Sequence, residues 1–108
     1  MQIIHQDHNN VTVEHYEDRT PGHYYCVNFS TGAESVIFQD GPVKDNGTNG
    51  VTNEALLAIL IHRTKILDEK FPSDYNKAAI EHMEAALNYF NNRTADRIDR
   101  GVEGLNQT

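Results

Sequence analysis

Thr52-Asn-Glu-Ala-Leu-Leu-Ala-Ile-Leu-Ile61 and the break that follows it, Lys70-Phe-Pro-Ser-Asp74, decide the fold of this chain. Thr52 is a good N-cap, because its hydroxyl oxygen accepts a backbone N–H that has no partner inside the helix. Glu54 sits in the first turn, and Leu56, Ile59, Leu60, Arg63 and Leu67 recur at helical spacing, so residues 51–70 are expected to be helical. The run from Leu56 to Ile61 is apolar nearly all round, as in a helix covered on more than one side. Phe71-Pro72-Ser73-Asp74 stops that helix and recaps another, with Ser73 or Asp74 as N-cap. The second helix is expected to run to about Arg100, where Gly101 ends it. At 1.5 Å per residue it is about 40 Å long, more than one small domain needs. Two helices joined by so short a break form an antiparallel hairpin.

Upstream the spacing changes from helical to alternating. In Tyr24-Tyr-Cys-Val-Asn-Phe29, Tyr25, Val27 and Phe29 share one face. Ser30-Thr31-Gly32 reads as a turn and Val36-Ile37-Phe38 as the start of a return strand, giving a hairpin. Val11-Thr12-Val13 is β-branched, Glu17 to Gly22 is a loop with Pro-Gly punctuation, and Ile3-Ile4 begins a first strand. Between sheet and helices, residues 40–50 carry three glycines and a proline, a composition that argues against regular structure. The expected fold is α+β: a small N-terminal antiparallel sheet of three or four strands, then a long antiparallel helical hairpin. Residues 1–108 are expected to form a single domain, with a sheet part over 1–40, a Gly-rich loop over 41–50 and a hairpin part over 51–108.

The 108 residues suit one domain. A chain of this size buries only about 60–70 % of the surface its unfolded form exposes, so oligomerisation is a natural supplement to a modest core. Sixteen acidic residues face nine basic ones, for a net charge of −7, which argues against broad binding to a nucleic-acid polymer. Mean hydropathy is −0.63, and no run approaches the roughly 18–20 apolar residues of a membrane span. The opening Met1-Gln-Ile-Ile-His-Gln-Asp-His8 has no basic start and no long apolar stretch, which points to the cytosol. One cysteine, Cys26, allows no intrachain disulfide.

The second helix carries the most chemistry. Ala79, Met83, Ala86 and Phe90 mark an apolar stripe that continues as Arg93, Arg97 and Arg100. Guanidinium forks stacked on one side suit phosphate, since each can bond two oxygens. Tyr89, Phe90 and Asn92 lie beside them, and the aromatics offer a surface on which a base can stack. A solvated helix end explains the same pattern, because Asp96 and Asp99 interleave and Asp96 stands at i,i+4 from Arg100. The Gly-rich loop opens into a helix N-terminus and holds one cation, Lys44, so it fits either an anion site or a plain linker. It is neither a Walker A loop nor a G-x-G-x-x-G fingerprint, and no cofactor is expected. The six histidines include His5, His8, His15 and His23 in the strand region, and none forms a tight ligand pair with Cys26, so they read as surface residues and no metal site is expected. No catalytic constellation emerges.

Gly41-Pro42-Val43-Lys44 with Gly47 and Asn49-Gly50, followed by the helical pair and by Asn92-Arg93-Thr94-Ala95-Asp96-Arg97-Ile98-Asp99-Arg100-Gly101-Val102-Glu103-Gly104, resembles the phage helical-hairpin family of cyclic-nucleotide sponges. Members of that family counter the bacterial Thoeris and CBASS defences. The resemblance covers roughly residues 41–106, and the β-like first forty residues resemble the anti-Thoeris branch, whose members carry an N-terminal sheet.

The resemblance implies a protein that is not an enzyme. It would bind the Thoeris signal, a cyclic ADP-ribose isomer with a glycosidic link between its riboses (glycocyclic ADP-ribose), and withhold it in the cytoplasm of the infected host. Cyclic di- or trinucleotides of CBASS are further ligands in some members. The resemblance also implies a homo-oligomer, a dimer or a hexamer, with sites between subunits. It marks Arg93, Arg97 and Arg100, with Asn92, as phosphate contacts, and Lys44, Asn49 and Gly50 as a second anion pocket. Two other readings stay open: an inhibitor that binds a defence protein directly, and a cyclic-nucleotide hydrolase.

Overall fold

The computed structural model of the chain describes residues 1–101. The Val102-Glu103-Gly104 end of the family motif lies outside the described residues. The chain falls into two compact units, Met1–Val51 and Thr52–Thr108, so the Gly-rich loop belongs with the sheet. The fold is α+β.

The first unit is a four-stranded antiparallel meander of β1 (Gln2–Gln6), β2 (Thr12–His15), β3 (Tyr24–Phe29) and β4 (Gly32–Ile37), in that spatial order. Asp7 shapes the first turn, its Oδ1 accepting the N–H groups of Asn9 and Val11. The turn between β3 and β4 is tighter than the sequence suggests. Phe29 pairs with Gly32, so β4 starts at Gly32 instead of Val36. Gly32-Ala-Glu-Ser35 has weak strand propensity, but hydrogen bonding to β3 along its whole length overrides that preference. Register places Glu14, Cys26 and Ser35 on one face, where Asn28 Nδ2 donates to Glu14 Oε1 at 2.6 Å. On the opposite face His15, Tyr25 and Phe38 form an aromatic row, with ring centroids 5.2 and 5.8 Å apart.

The Gly-rich segment is not wholly irregular. Residues Val43–Asn46 make one helical turn, α1. Pro42 enters it at φ −64°, already near the helical value, and Gly47 leaves it at φ 66°, so one turn fits between the two breakers.

The second unit is the helical hairpin of α2 (Asn53–Lys70) and α3 (Asp74–Asp99). Thr52 Oγ1 accepts the N–H of Ala55 at 3.1 Å, and Ser73 Oγ accepts those of Tyr75 and Asn76. Pro72 disfavours helical geometry at Phe71, which sits at φ −133° and closes α2. Asp68 ties the two ends together. Its carboxylate accepts the N–H of Ser73 at 2.9 Å and pairs with Lys77 at 3.1 Å. Lys65 meets Glu84 at 3.6 Å one step further from the turn, which fixes the helices as antiparallel. Thin burial marks the hairpin: Ile61, 8 % exposed, is the one deeply buried apolar side chain among the described residues, while Ile59 is 61 % exposed. Among the described residues, no helix is long and apolar enough to cross a membrane.

Candidate functional site

The nine residues singled out in the sequence divide between the units. Tyr89, Phe90, Asn92, Arg93, Arg97 and Arg100 lie on or directly after α3, while Lys44, Asn49 and Gly50 lie in the loop of the sheet unit.

On α3 the less exposed stripe runs Asn76, Ile80, Met83, Ala86, Leu87, Phe90, Thr94, Arg97. It shares Met83, Ala86, Phe90 and Arg97 with the stripe expected from the sequence, while Ala79 and Arg93 are exposed. The three arginines, at i, i+4 and i+7 spacing, therefore differ in burial rather than in facing. Arg97 alone continues the stripe and is 8 % exposed, whereas its neighbour Ile98 is 60 % exposed. Burying a guanidinium beside an exposed isoleucine inverts the usual order of burial. Charge taken from water is costly unless hydrogen-bonded, and among the described residues no buried side-chain nitrogen or oxygen lacks a partner. Arg100 is exposed and committed to Asp96, with Nε 3.0 Å from Oδ2. Tyr89 is 77 % exposed, Asn92 and Arg93 are exposed, and Phe90 is half-buried on the Arg97 side.

The loop is held by its own side chains. Gln39 Nε2 donates to the carbonyl of Gly47 at 2.8 Å, and Gln39 Oε1 accepts the N–H of Asn49. Asn49 Oδ1 accepts the N–H of Asp40 at 2.9 Å, and Asn49 Nδ2 donates to the Asp40 carbonyl at 2.8 Å. The Asn49 amide thus keeps one hydrogen and one lone pair for a ligand. Gly50 is a packing position: a Cβ there would lie 2.6 Å from both Gln39 N and Ile37 O. Lys44 projects from α1 as an exposed cation.

Sequence reading missed a second arrangement in the sheet unit. Arg19 stacks on the Tyr24 ring, its Cζ 3.9 Å from the centroid. The Tyr24 hydroxyl donates to Asp40 Oδ2 at 2.9 Å. The hydroxyls of Tyr24 and Thr20 hold the Asp40 carboxyl below the usual carboxylate value. A recess of about 160 Å³ opens beside them, lined by Tyr16, Arg19, Tyr24, Tyr25, Ser35 and Ile37. The Tyr16 phenol is pushed up, chiefly by the neighbouring Cys26, and remains a neutral donor at neutral pH. No periodic signal links Arg19, Tyr24 and Asp40, because they meet only through strand pairing. His15 serves the same loop, its Nε2 accepting the N–H of Gly22 at 2.9 Å.

Residues 33–95, more than half of the chain, match the Acb2/Tad1 hairpin domain. The chain belongs to that family. A "Thoeris anti-defense 1" protein of Bacillus phage SBSphiJ7 is 42 % identical over 80 residues, which make up 73 % of this chain and 56 % of the relative. The chain thus spans little more than half the length of that curated relative. The matched residues carry the Gly-rich loop, both helices as far as Ala95, and Arg93; Arg97 and Arg100 follow directly.

Proposed function

We propose that this protein is a phage anti-defence protein that binds and sequesters a cyclic ADP-ribose isomer, the Thoeris signal, without cleaving it. The proposal extends to the cyclic di- and trinucleotides of CBASS, to a homo-oligomer (a dimer or a hexamer), and to the cytoplasm of the infected host. Membership of the Acb2/Tad1 hairpin-domain family and the name of the phage relative support the biological role. The observation that carries the chemistry is Arg97, a guanidinium 8 % exposed at the end of an apolar stripe. In such surroundings a charge-assisted bidentate contact to a pyrophosphate is worth more than in open water. Arg93 and Asn92 stand exposed on the flank of the same helix end, and Phe90 and Tyr89 offer ring faces for a base. Lys44, Asn49 and Gly50 form a second anion pocket in the sheet unit. Exposed Ile59, Leu60, Phe71 and Ile98 support self-association, since a hairpin with so little buried apolar surface gains from a partner.

A sequestering protein must compete with the effector. Nanomolar affinity, about −12 kcal/mol, sets the scale. Isothermal titration of Arg97→Ala and Arg97→Lys with a glycosidically linked cyclic ADP-ribose isomer tests the proposal. Binding is expected to vanish in the alanine variant. It should weaken about tenfold to a hundredfold in the lysine variant, which keeps the charge and loses the fork. Unchanged affinity in a folded Arg97→Ala protein overturns the assignment and favours a protein-binding surface.

A further inference from the structure

We propose that Tyr24 and Asp40 are positioning residues for the loop that follows β4. The Tyr24 hydroxyl fixes the Asp40 carboxylate, and the Asp40 backbone in turn fixes Asn49. The consequence for ligand affinity rests on the proposal above that Lys44, Asn49 and Gly50 contact the ligand.

Asp40 is the hinge point of the arrangement. Its side chain reaches back to Tyr24 on β3, while its N–H and its carbonyl are both held by the Asn49 amide. Rotating Asp40 away from Tyr24 therefore strains two further hydrogen bonds at once. The adjacent Gln39 grips the far side of the loop through Gly47 and the Asn49 N–H. Because residues 39 and 40 are consecutive, anchoring Asp40 also orients Gln39. Beyond Asn49 the chain rejoins the sheet unit: the Val51 N–H donates to Ile37 O at 2.8 Å, and the Gln39 N–H to Val51 O at 3.1 Å. Tyr24 is itself held down, with Arg19 stacked on its ring and its strand paired on both sides. The order of support runs from Arg19 and β3, through Tyr24 and Asp40, to Asn49 and the α1 turn that bears Lys44. Arg19, Tyr24 and Asp40 need not touch the ligand to change its affinity.

Tyr24→Phe removes one hydroxyl and keeps the ring under Arg19, so it is the mildest probe. Asp40→Ala removes the carboxylate, and Asp40→Asn retains an oxygen that accepts from Tyr24. Two readouts separate the positioning claim from the ligand claim: amide hydrogen exchange at Asp40, Asn49 and Val51 in ligand-free protein, and the Kd for a glycosidically linked cyclic ADP-ribose isomer. Tyr24→Phe and Asp40→Ala are expected to speed exchange at those amides about five- to tenfold and to raise Kd by a similar factor. Asp40→Asn should stay within about threefold of the parent in both, since it keeps a neutral hydrogen bond. Arg97→Ala should raise Kd with exchange at those three amides unaltered. Unchanged exchange in both Tyr24→Phe and Asp40→Ala, the second of which also removes the Thr20 contact, overturns the positioning claim. Faster exchange with unchanged Kd shows that the loop is held by Tyr24 but does not present the ligand contacts, which overturns the functional part. If the unsubstituted protein binds none of the isomer, the proposed function has failed, and the exchange data alone then decide whether Tyr24 and Asp40 hold the loop.

Discussion

Replacing Gly50 by Ala sets a methyl group against backbone, which cannot step aside as a side chain can. The added Cβ would stand 2.6 Å from Gln39 N and 2.6 Å from Ile37 O, with the Phe38 carbonyl carbon closer still. Two responses are open. Keeping the Phe38–Val51 bridge means tolerating an overpacked contact, worth about 1–3 kcal/mol. Opening the bridge loses the Val51 N–H to Ile37 O and Gln39 N–H to Val51 O bonds, at about 1 kcal/mol each. The smaller loss wins, so the expected destabilisation is about 2 kcal/mol, or roughly 8–16 °C in Tm for a domain of this size. Gly47→Ala is the internal control. Nothing lies within 4 Å of its added methyl group, so only the backbone penalty applies, about 1–3 kcal/mol at φ 66° and ψ −175°, a region essentially confined to glycine. Thermal melts followed by circular dichroism rank the two, and amide exchange locates the change. Gly50→Ala should lose protection at Val51 and Gln39, and Gly47→Ala should not. Full protection of Val51 together with an unchanged Tm in Gly50→Ala would refute the close-approach argument.

Three further outcomes are expected. Ser73→Ala removes the acceptor for the Tyr75 and Asn76 N–H groups and should lower hairpin stability by about 1 kcal/mol in chemical denaturation; no loss would show that α3 is held by packing alone. The Ser73 N–H first, and then Lys77, hold the Asp68 carboxyl below its ordinary value of 3.8, so Asp68 stabilises the fold above that pH and the contribution is lost as pH falls through the lower folded value. The stability gap between parent and Asp68→Asn should therefore shrink from pH 5 to pH 2, and a gap independent of pH refutes the linkage. Alanine at exposed Lys65, whose Glu84 partner is also exposed, should change stability by less than about 0.5 kcal/mol in the same denaturation series, because such pairs gain little in water.

The helical half of the molecule was the more legible. Thr52, Pro72 and Ser73 each act through local chemistry that needs no tertiary partner, and each stands where its chemistry requires. The strands were legible as three or four antiparallel segments with one hairpin, but not in their order across the sheet or in extent. Gly32 to Ser35 became strand through hydrogen bonds to β3, which strand propensity does not record. The α1 turn fell in a segment whose glycines and proline hid one allowed turn between them. The arginine stripe was half legible. The expected and observed stripes share Met83, Ala86, Phe90 and Arg97, and because Ala79, Ile80 and Leu87 are also apolar the sequence does not choose between them. In the fold Arg97 is buried and Arg93 stays exposed. The Tyr24–Asp40 link spans sixteen residues and arises only once β3 and β4 are paired, so no spacing rule announces it.

The central claim, capture without turnover, is tested most directly by depletion and release. The protein is mixed with a glycosidically linked cyclic ADP-ribose isomer and removed by filtration, and the free ligand is quantified. The retained protein is then heat-denatured and the released compound identified by mass spectrometry and chromatography. The account predicts that the ligand disappears from the filtrate and returns chemically intact. A different compound on release would contradict it and make the protein an enzyme, and a filtrate that never loses ligand would contradict the ligand assignment itself.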